Sequence, residues 1–145
     1  MFGVQFYPTP SQLAARMLDK EDWSKVQFAL EPSAGKGDLA MGIRNRMKHG
    51  KKPCQLDCVE IDPDLRAVLR ERGFTVVEND FLKWDAQTRY DLIVMNPPFR
   101  NGDKHLMHAL ELMKHGGQIV CLLNESTIRN AESPLRRSMV KLLAE

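Results

Sequence analysis

The chain contains no apolar run near the roughly 18 residues that a membrane-spanning helix requires, and its N-terminus lacks the basic-then-apolar pattern of a secretory signal. A cytoplasmic protein with no membrane partner is therefore expected. Cysteine is scarce and odd in number: Cys54, Cys58 and Cys121. Two of the three fall in apolar, strand-like runs, where a thiol behaves as a small hydrophobe, so reduced core thiols are expected rather than disulfides or a metal site. Neither charge sign dominates, since 21 Lys and Arg face 19 Asp and Glu for a net charge of +2. That balance does not by itself announce a nucleic-acid binder. The basic cluster Arg44, Arg46, Lys48, His49, Lys51 and Lys52 closes a predicted helix, where cations meet the negative end of the helix dipole.

Repeats, low-complexity tracts and linkers are missing as well, and 145 residues suit one domain. A composition of 43% hydrophobic and 28% charged residues is that of a globular protein. Apolar runs of strand length alternate with helical patterns, which predicts an α/β fold with a doubly wound, mostly parallel sheet. Strands are expected at 26–30, 55–60, 74–77, 90–95 and 118–123. The runs Leu92-Ile93-Val94-Met95 and Ile119-Val120-Cys121-Leu122-Leu123 lack polar alternation, so both sheet faces should be covered. Helices are expected at 10–19, 38–48, 63–72, 104–114 and 134–144. Thr9-Pro10, Asp62-Pro63 and Ser133-Pro134 mark three starts, and Gly50, Gly73 and Gly116-Gly117 mark stops. Met107, Leu110 and Met113 are read as the core face of the fourth helix.

In such a sheet the first and fourth predicted strands lie side by side where the strand order reverses, and ligands bind beyond their carboxyl ends. The loops after each strand therefore carry the chemistry. After the first stands Glu31-Pro32-Ser33-Ala34-Gly35-Lys36-Gly37-Asp38, a glycine turn opening a helix. With Ala40 it also satisfies a G-x-G-x-x-A dinucleotide pattern, so a nicotinamide enzyme remains open at this point. Glu60, 23 residues beyond Gly37, is placed to accept hydrogen bonds from both ribose hydroxyls of an adenosine ligand. Asp80 and Phe81 offer a carboxylate for an adenine amine and an aromatic ring to pack on the base.

The decisive segment is Asn96-Pro97-Pro98-Phe99, directly after a buried strand. Two prolines remove two backbone donors and hold Asn96 extended. The Asn96 side-chain oxygen and the Pro97 carbonyl then become two fixed acceptors, with Phe99 as a stacking surface. An aromatic amine is a poor nucleophile because its lone pair is delocalised, and two acceptors on its hydrogens return electron density to nitrogen. Methyl displacement from an activated sulfonium chiefly needs alignment, which in well-oriented systems supplies of order 7–11 kcal/mol. No His or Cys stands beside the motif as a catalytic candidate. Phe99 would hold a base flipped out of a duplex. His105 and His108 sit three apart on a helix without a third ligand, so no metal is expected.

With these segments in place, the chain resembles the S-adenosylmethionine-dependent amino-methyltransferases, especially the N-6 adenine-specific DNA methyltransferases, over about residues 5–125. Phe6-Tyr7-Pro8-Thr9-Pro10 resembles that family's N-terminal motif, EPSAGKGD its glycine loop, VEID its ribose-binding acid, NDF its adenine-binding pair and NPPF its catalytic tetrapeptide. The resemblance implies a Rossmann-like class I methyltransferase core with S-adenosylmethionine as cofactor. It places Tyr7 and Thr9 by the methionine moiety, has Glu31, Ser33, Gly35 and Gly37 line the cofactor, and gives Glu60, Ile61, Asp80 and Phe81 to its adenosine. Asn96, Pro97, Pro98 and Phe99 become the catalytic set, acting on the exocyclic amine of adenine in DNA.

Family members continue past the fifth of these strands with two more strands and a target-recognition region, whereas this sequence stops at Glu145. A missing C-terminal region or a partner subunit is expected to supply target recognition. Arg100, Lys104, His105, Arg129, Arg136 and Arg137 are candidate phosphate contacts. The alternatives are methylation of an RNA base or a protein glutamine, and a cofactor-binding module without activity of its own.

Overall fold

The computed structural model describes residues 3–8, 11–48, 53–97, 101–123 and 137, with side chains from Ala15 onward except that of Leu123. Six strands form one parallel sheet: β1 (Gly3–Pro8), β2 (Phe28–Glu31), β3 (Gln55–Val59), β4 (Thr75–Glu78), β5 (Tyr90–Met95) and β6 (Met113–Leu123). Their order is β1-β6-β5-β2-β3-β4, so the winding reverses between β2 and β5, as the sequence predicts for its first and fourth strands. Among the described residues four helices accompany them: α1 (Ser11–Asp19), α2 (Asp38–Met47), α3 (Pro63–Glu71) and α4 (Gly102–Glu111). This is the Rossmann-like class I methyltransferase fold. The helix expected at 134–144 lies outside the described residues, Arg137 excepted.

The uninterrupted apolar run of β5 is explained by what covers it. Leu92 and Val94 enter one core with Leu18 of α1 and Ile43 and Met47 of α2. Ile93 and Met95 enter the other with Leu106 and Ala109 of α4 and Phe81. All four strand residues are fully buried, and each such burial contributes about 1.5–3 kcal/mol. Cys58 and Cys121 are buried free thiols, and burial pushes each up to about 12. Cys54 is exposed and free.

At the amino ends of the strands, β5 is tied to β2 by Asp91, whose Oδ2 accepts the Gln27 and Phe28 N–H groups at 3.0 and 2.8 Å. Lys114 lies 3.6 Å from its Oδ1 and 4.8 Å from the Phe28 ring centroid. Beneath the sheet the Tyr90 hydroxyl donates to Asp57 at 2.7 Å, and Gln55 donates to the other Asp57 oxygen at 2.7 Å. The basic end of α2 has structural employment too. Arg44 covers the Phe74 ring at 4.1 Å, and Arg46 pairs with Asp19 at 2.8 Å.

Three features differ from the sequence reading. β1 falls in a segment where no strand is expected, and it pairs along its whole length with β6. Helix α4 ends at Glu111, before Gly116-Gly117, and Met113 already pairs with Tyr90 in the sheet. The pairing then shifts, Leu92 meeting Gln118, and Gly117 sits where a Cβ would lie 2.9 Å from the Asp91 carbonyl. Finally, of the three residues expected on the core face of α4, Leu110 packs against the core and Met113 is buried in it, whereas Met107 is 46% exposed and Leu106 and Ala109 take inner positions.

Candidate active site

The turn after β2 is built on two glycines with different duties. Gly37, at φ +102°, caps α2, and its N–H goes to the Ala34 carbonyl at 3.0 Å. A Cβ there would press on Phe74 and Leu69 at 3.0 and 3.1 Å, so Gly37 serves helix packing and does not reach the cleft. Gly35, at φ +57°, is the one that faces open space, because a Cβ there would meet nothing within 4 Å. Bare backbone is offered at that point.

Glu60, at the end of β3, holds this turn. One carboxylate oxygen accepts the Gly35 N–H at 2.7 Å and the other the Asp62 N–H at 2.9 Å. Each oxygen keeps a lone pair. Asp62 itself caps α3 through the Asp64 and Leu65 N–H groups at 2.8 and 3.2 Å, with Pro63 at the first helical position, as the sequence signal predicts. Glu31 lies below, 1% exposed, accepting the Ser33 N–H. Burial first, and then the neighbouring Glu60 charge, push its carboxyl up to about 8, although the Ser33 bond works the other way. Glu31 is thus a buried support of the loop rather than part of the cleft wall.

A cleft of about 450 Å³ opens beyond the carboxyl ends of the strands. Ser33, Glu60, Ile61, Asp80, Phe81 and Asn96 all line it, although they come from four separate loops. Ile61 is 69% exposed beside Glu60, an apolar surface suited to a planar base. Asp80 Oδ1 accepts the Leu82 N–H at 3.1 Å and caps the turn of 3-10 helix at Phe81–Lys83. Phe81 departs from expectation: only 3% exposed, it is packed among other rings and offers little of its face to a ligand. His105 stacks on it with centroids 5.6 Å apart, and His108 meets its edge at 4.8 Å.

Asn96 is exposed on the cleft at the end of β5, and Pro97 behind it is buried. Thr9, Pro98 and Phe99 lie outside the described residues. Tyr7 pairs with Leu122 across the β1–β6 ladder, and because the pair is parallel, β1 runs toward the same rim as the cleft loops. The sequence reading missed Asn79, Asn101 and the cleft-facing place of His105. For His105 the signal was its position in the first turn of the helix that follows Asn96-Pro97-Pro98-Phe99. No group of three His, Cys, Asp or Glu that could hold a metal occurs among the described residues.

A family profile described as "Methyltransferase small domain" matches residues 9–139. The type II methyltransferase M.CvrRI of Paramecium bursaria Chlorella virus XZ-6E is 32% identical over 86 residues, 59% of this chain and 22% of the viral protein. The chain thus spans about a fifth of that curated relative. Among solved structures, a Staphylococcus aureus protein assigned as a caffeoyl-CoA O-methyltransferase superposes with a TM-score of 0.71 at 12% identity, over 94% of this chain and 75% of that one. The N-methyltransferase NodS of Bradyrhizobium japonicum WM9, bound to S-adenosylhomocysteine, gives 0.61 at 15% identity, over 76% of this chain and 60% of its own. Coclaurine N-methyltransferase, bound to N-methylheliamine and S-adenosylhomocysteine, gives 0.59 at 18%, over 75% and 33%.

S-adenosylmethionine is the cofactor supported by the family and by the neighbours that hold its demethylated form. The cleft suits it: an anchored carboxylate with spare lone pairs, a second acid at Asp80 and an exposed isoleucine stand around one space. The match over residues 9–139 covers most of the sequence, and the chain belongs to the methyltransferase small domain family.

Proposed function

We propose that this chain transfers a methyl group from S-adenosylmethionine to the exocyclic amine of adenine in DNA. The observation that carries the reading is the shared cleft: Asn96, followed by a buried proline, faces the same space as Ser33, Glu60 and Asp80. When bound, the cofactor supplies a methyl group activated on a sulfonium. Glu60 would hold its ribose and Asp80 its adenine amine, while Ile61 covers the base. Asn96 and the Pro97 carbonyl accept the two hydrogens of the target amine, so its lone pair is directed at the incoming methyl carbon. Phe99 would stack on the extruded base, and Tyr7 and Thr9 would close over the methionine end.

The viral relative, itself a type II methyltransferase, supports DNA as the substrate. Target recognition is assigned to a partner subunit or to sequence beyond this chain, and the working compartment is the cytoplasm. The test is transfer of labelled methyl groups to DNA lacking adenine methylation, to total RNA and to a protein lysate, with DNA analysed for N-6-methyladenine. Label in DNA adenine is expected; label confined to RNA or protein would overturn the DNA reading, and S-adenosylhomocysteine binding without transfer to any of them would mark a binding module.

A further inference from the structure

We propose that binding of S-adenosylmethionine draws a proton out of the buried Glu31–Glu60 pair, and that the pair thereby favours the positively charged methyl donor over its demethylated product. The inference rests on the cofactor assignment and is independent of which amine is methylated. Glu31 ends β2 and Glu60 follows the end of β3, two strands paired in register, and the two acids are 1% and 8% exposed. One loop clasps both. Ser33 donates its N–H to Glu31 and Gly35 donates its own to Glu60. Glu60 accepts N–H groups on both oxygens and Glu31 on one, so a proton held by the pair resides on Glu31. Burial, and with it the Glu60 charge, keeps that proton in place up to about pH 8 in the free protein, against the Ser33 bond.

What the pair lacks is a counter-charge. The cleft wall carries Glu60 and Asp80 but, among the described residues, no lysine or arginine. The surrounding elements offer Glu31 none either. On β3, Cys58 stays a thiol up to about 12, and Asp57 and Arg44 act on that thiol. From α3, Arg66 donates to the Glu60 and Ile61 carbonyls. At the start of α2, Lys36 and Asp38 pair with each other at 3.6 Å in solvent. His105 stands on the cleft wall supplied by α4.

When bound, S-adenosylmethionine supplies the missing charge, because its ammonium and carboxylate cancel and the sulfonium remains. S-adenosylhomocysteine has a neutral thioether there. Ser33 lines the cleft and is itself bonded to Glu31, so a cation seated in the cleft is separated from that carboxyl by a single residue. An opposite charge at short range favours the ionised acid. The Glu31 O–H bond breaks, its electron pair stays on oxygen and the proton passes to water; once the sulfonium charge is gone, a proton returns. Below about pH 8 the free protein holds the proton and binding releases it, so affinity rises with pH. Above that pH the carboxyl is already ionised and the rise ends.

The experiment compares the parent with Glu31→Gln, whose amide keeps the shape and cannot ionise. Calorimetric titration with S-adenosylmethionine and with S-adenosylhomocysteine, in buffers of different ionisation enthalpy, counts the protons released and gives the affinities from pH 6.5 to 8. The parent should release most of one proton per S-adenosylmethionine bound at pH 7, and its affinity for that ligand should rise by about tenfold over the range. Release should be clearly smaller with S-adenosylhomocysteine and in the variant, so the ratio of the two affinities should rise with pH in the parent and stay flat in Glu31→Gln. Equal release by parent and variant, or with the two ligands, overturns the proposal. Carboxyl ¹³C NMR of the cofactor-free parent should show one side chain titrating near about 8 that is missing from the variant; without such a signal the proposal falls before any cofactor is added. A parent that binds neither ligand while showing that signal refutes the cofactor assignment instead.

Discussion

The two ends of the sheet treat buried and half-buried acids differently. At the amino end and beneath the sheet, Asp91 and Asp57 spend both oxygens on protein partners: Asp91 on Gln27, Phe28 and Lys114, Asp57 on Gln55 and Tyr90. At the carboxyl end, Glu60 spends one lone pair of each oxygen on the loops, and Asp80 uses one oxygen on its turn. The first pair closes the structure. The second pair shapes a cleft and still has acceptor capacity turned toward it. The count of bonds does not separate an acid that holds the fold from one that can hold a ligand, since Asp57 and Glu60 each accept one on either oxygen; what separates them is that Glu60 and Asp80 line the cleft.

The largest effect that would sharpen this contrast belongs to Glu31, an acid at the cleft end that lies beneath the cleft wall. Its carboxyl is pushed up to about 8 from an ordinary 4.5, so the folded chain keeps a proton that the unfolded chain releases. Its contribution to stability is complete below about 4.5 and is lost as pH rises toward 8. Glu31→Gln should therefore be more stable than the parent by a few kcal/mol at pH 8.5 and close to it at pH 4.5, since each tenfold difference in proton affinity between the folded and unfolded chain is worth about 1.4 kcal/mol. Denaturant unfolding at the two pH values measures it; equal stability of the two proteins at pH 8.5 would contradict the assignment.

Next in size, Asn96→Ala should slow transfer by at least about a hundredfold while leaving S-adenosylhomocysteine affinity and melting temperature unchanged, by comparison with loss of a single oriented hydrogen-bonding group at other active sites. Glu60→Gln should weaken cofactor binding by about tenfold, as expected for a lost charged acceptor, with calorimetry as the readout, and should also lower stability by about 0.5–1.5 kcal/mol, since the amide NH2 cannot accept one of the two backbone N–H groups. Tyr90→Phe should affect stability alone. Removing the hydroxyl leaves one buried Asp57 oxygen without its partner, a cost of roughly 1–3 kcal/mol visible on denaturant unfolding, with cofactor affinity unchanged. A Glu60 variant that only destabilises, or a Tyr90 variant that only binds more weakly, would break the distinction between the two ends.

Five of the six strands were legible because the sequence marks them with apolar runs and well-formed starts, as at Asp62-Pro63 before α3. β1 was not, for a physical reason: as an edge strand it is paired on one side only, and Gly3-Val4-Gln5-Phe6-Tyr7-Pro8 needs no continuous apolar run. The end of α4 was misplaced because glycine is a stop signal for helices and also the residue that permits close backbone approach. At Gly117 the second use applies, against Asp91. Of the residues read as the core face of α4, Leu110 and Met113 do meet the core, but Met107 is apolar yet exposed, while the smaller Ala109 takes a buried position.

Within the site, types and loops were readable, and Ser33, Glu60, Ile61, Asp80 and Asn96 do converge. What the linear pattern could not show was rank within a loop. Glu31 and Gly37 stand in the same turn as Ser33 and Gly35, yet one lies under the loop and the other against Phe74. Nor could it show that Phe81 would be covered by the ring of His105, 24 residues further along.

The edge strand carries a kinetic consequence. Gly3 meets Gln118 and Pro8 meets Leu123, so β1 is joined to its neighbour only by closing a loop that contains every other strand of the sheet. Contacts of such long sequence separation form slowly, and β6 must already be seated on β5 to offer an edge. β1 is therefore the last strand to dock onto the sheet, and hydrogen exchange should find it the first to leave.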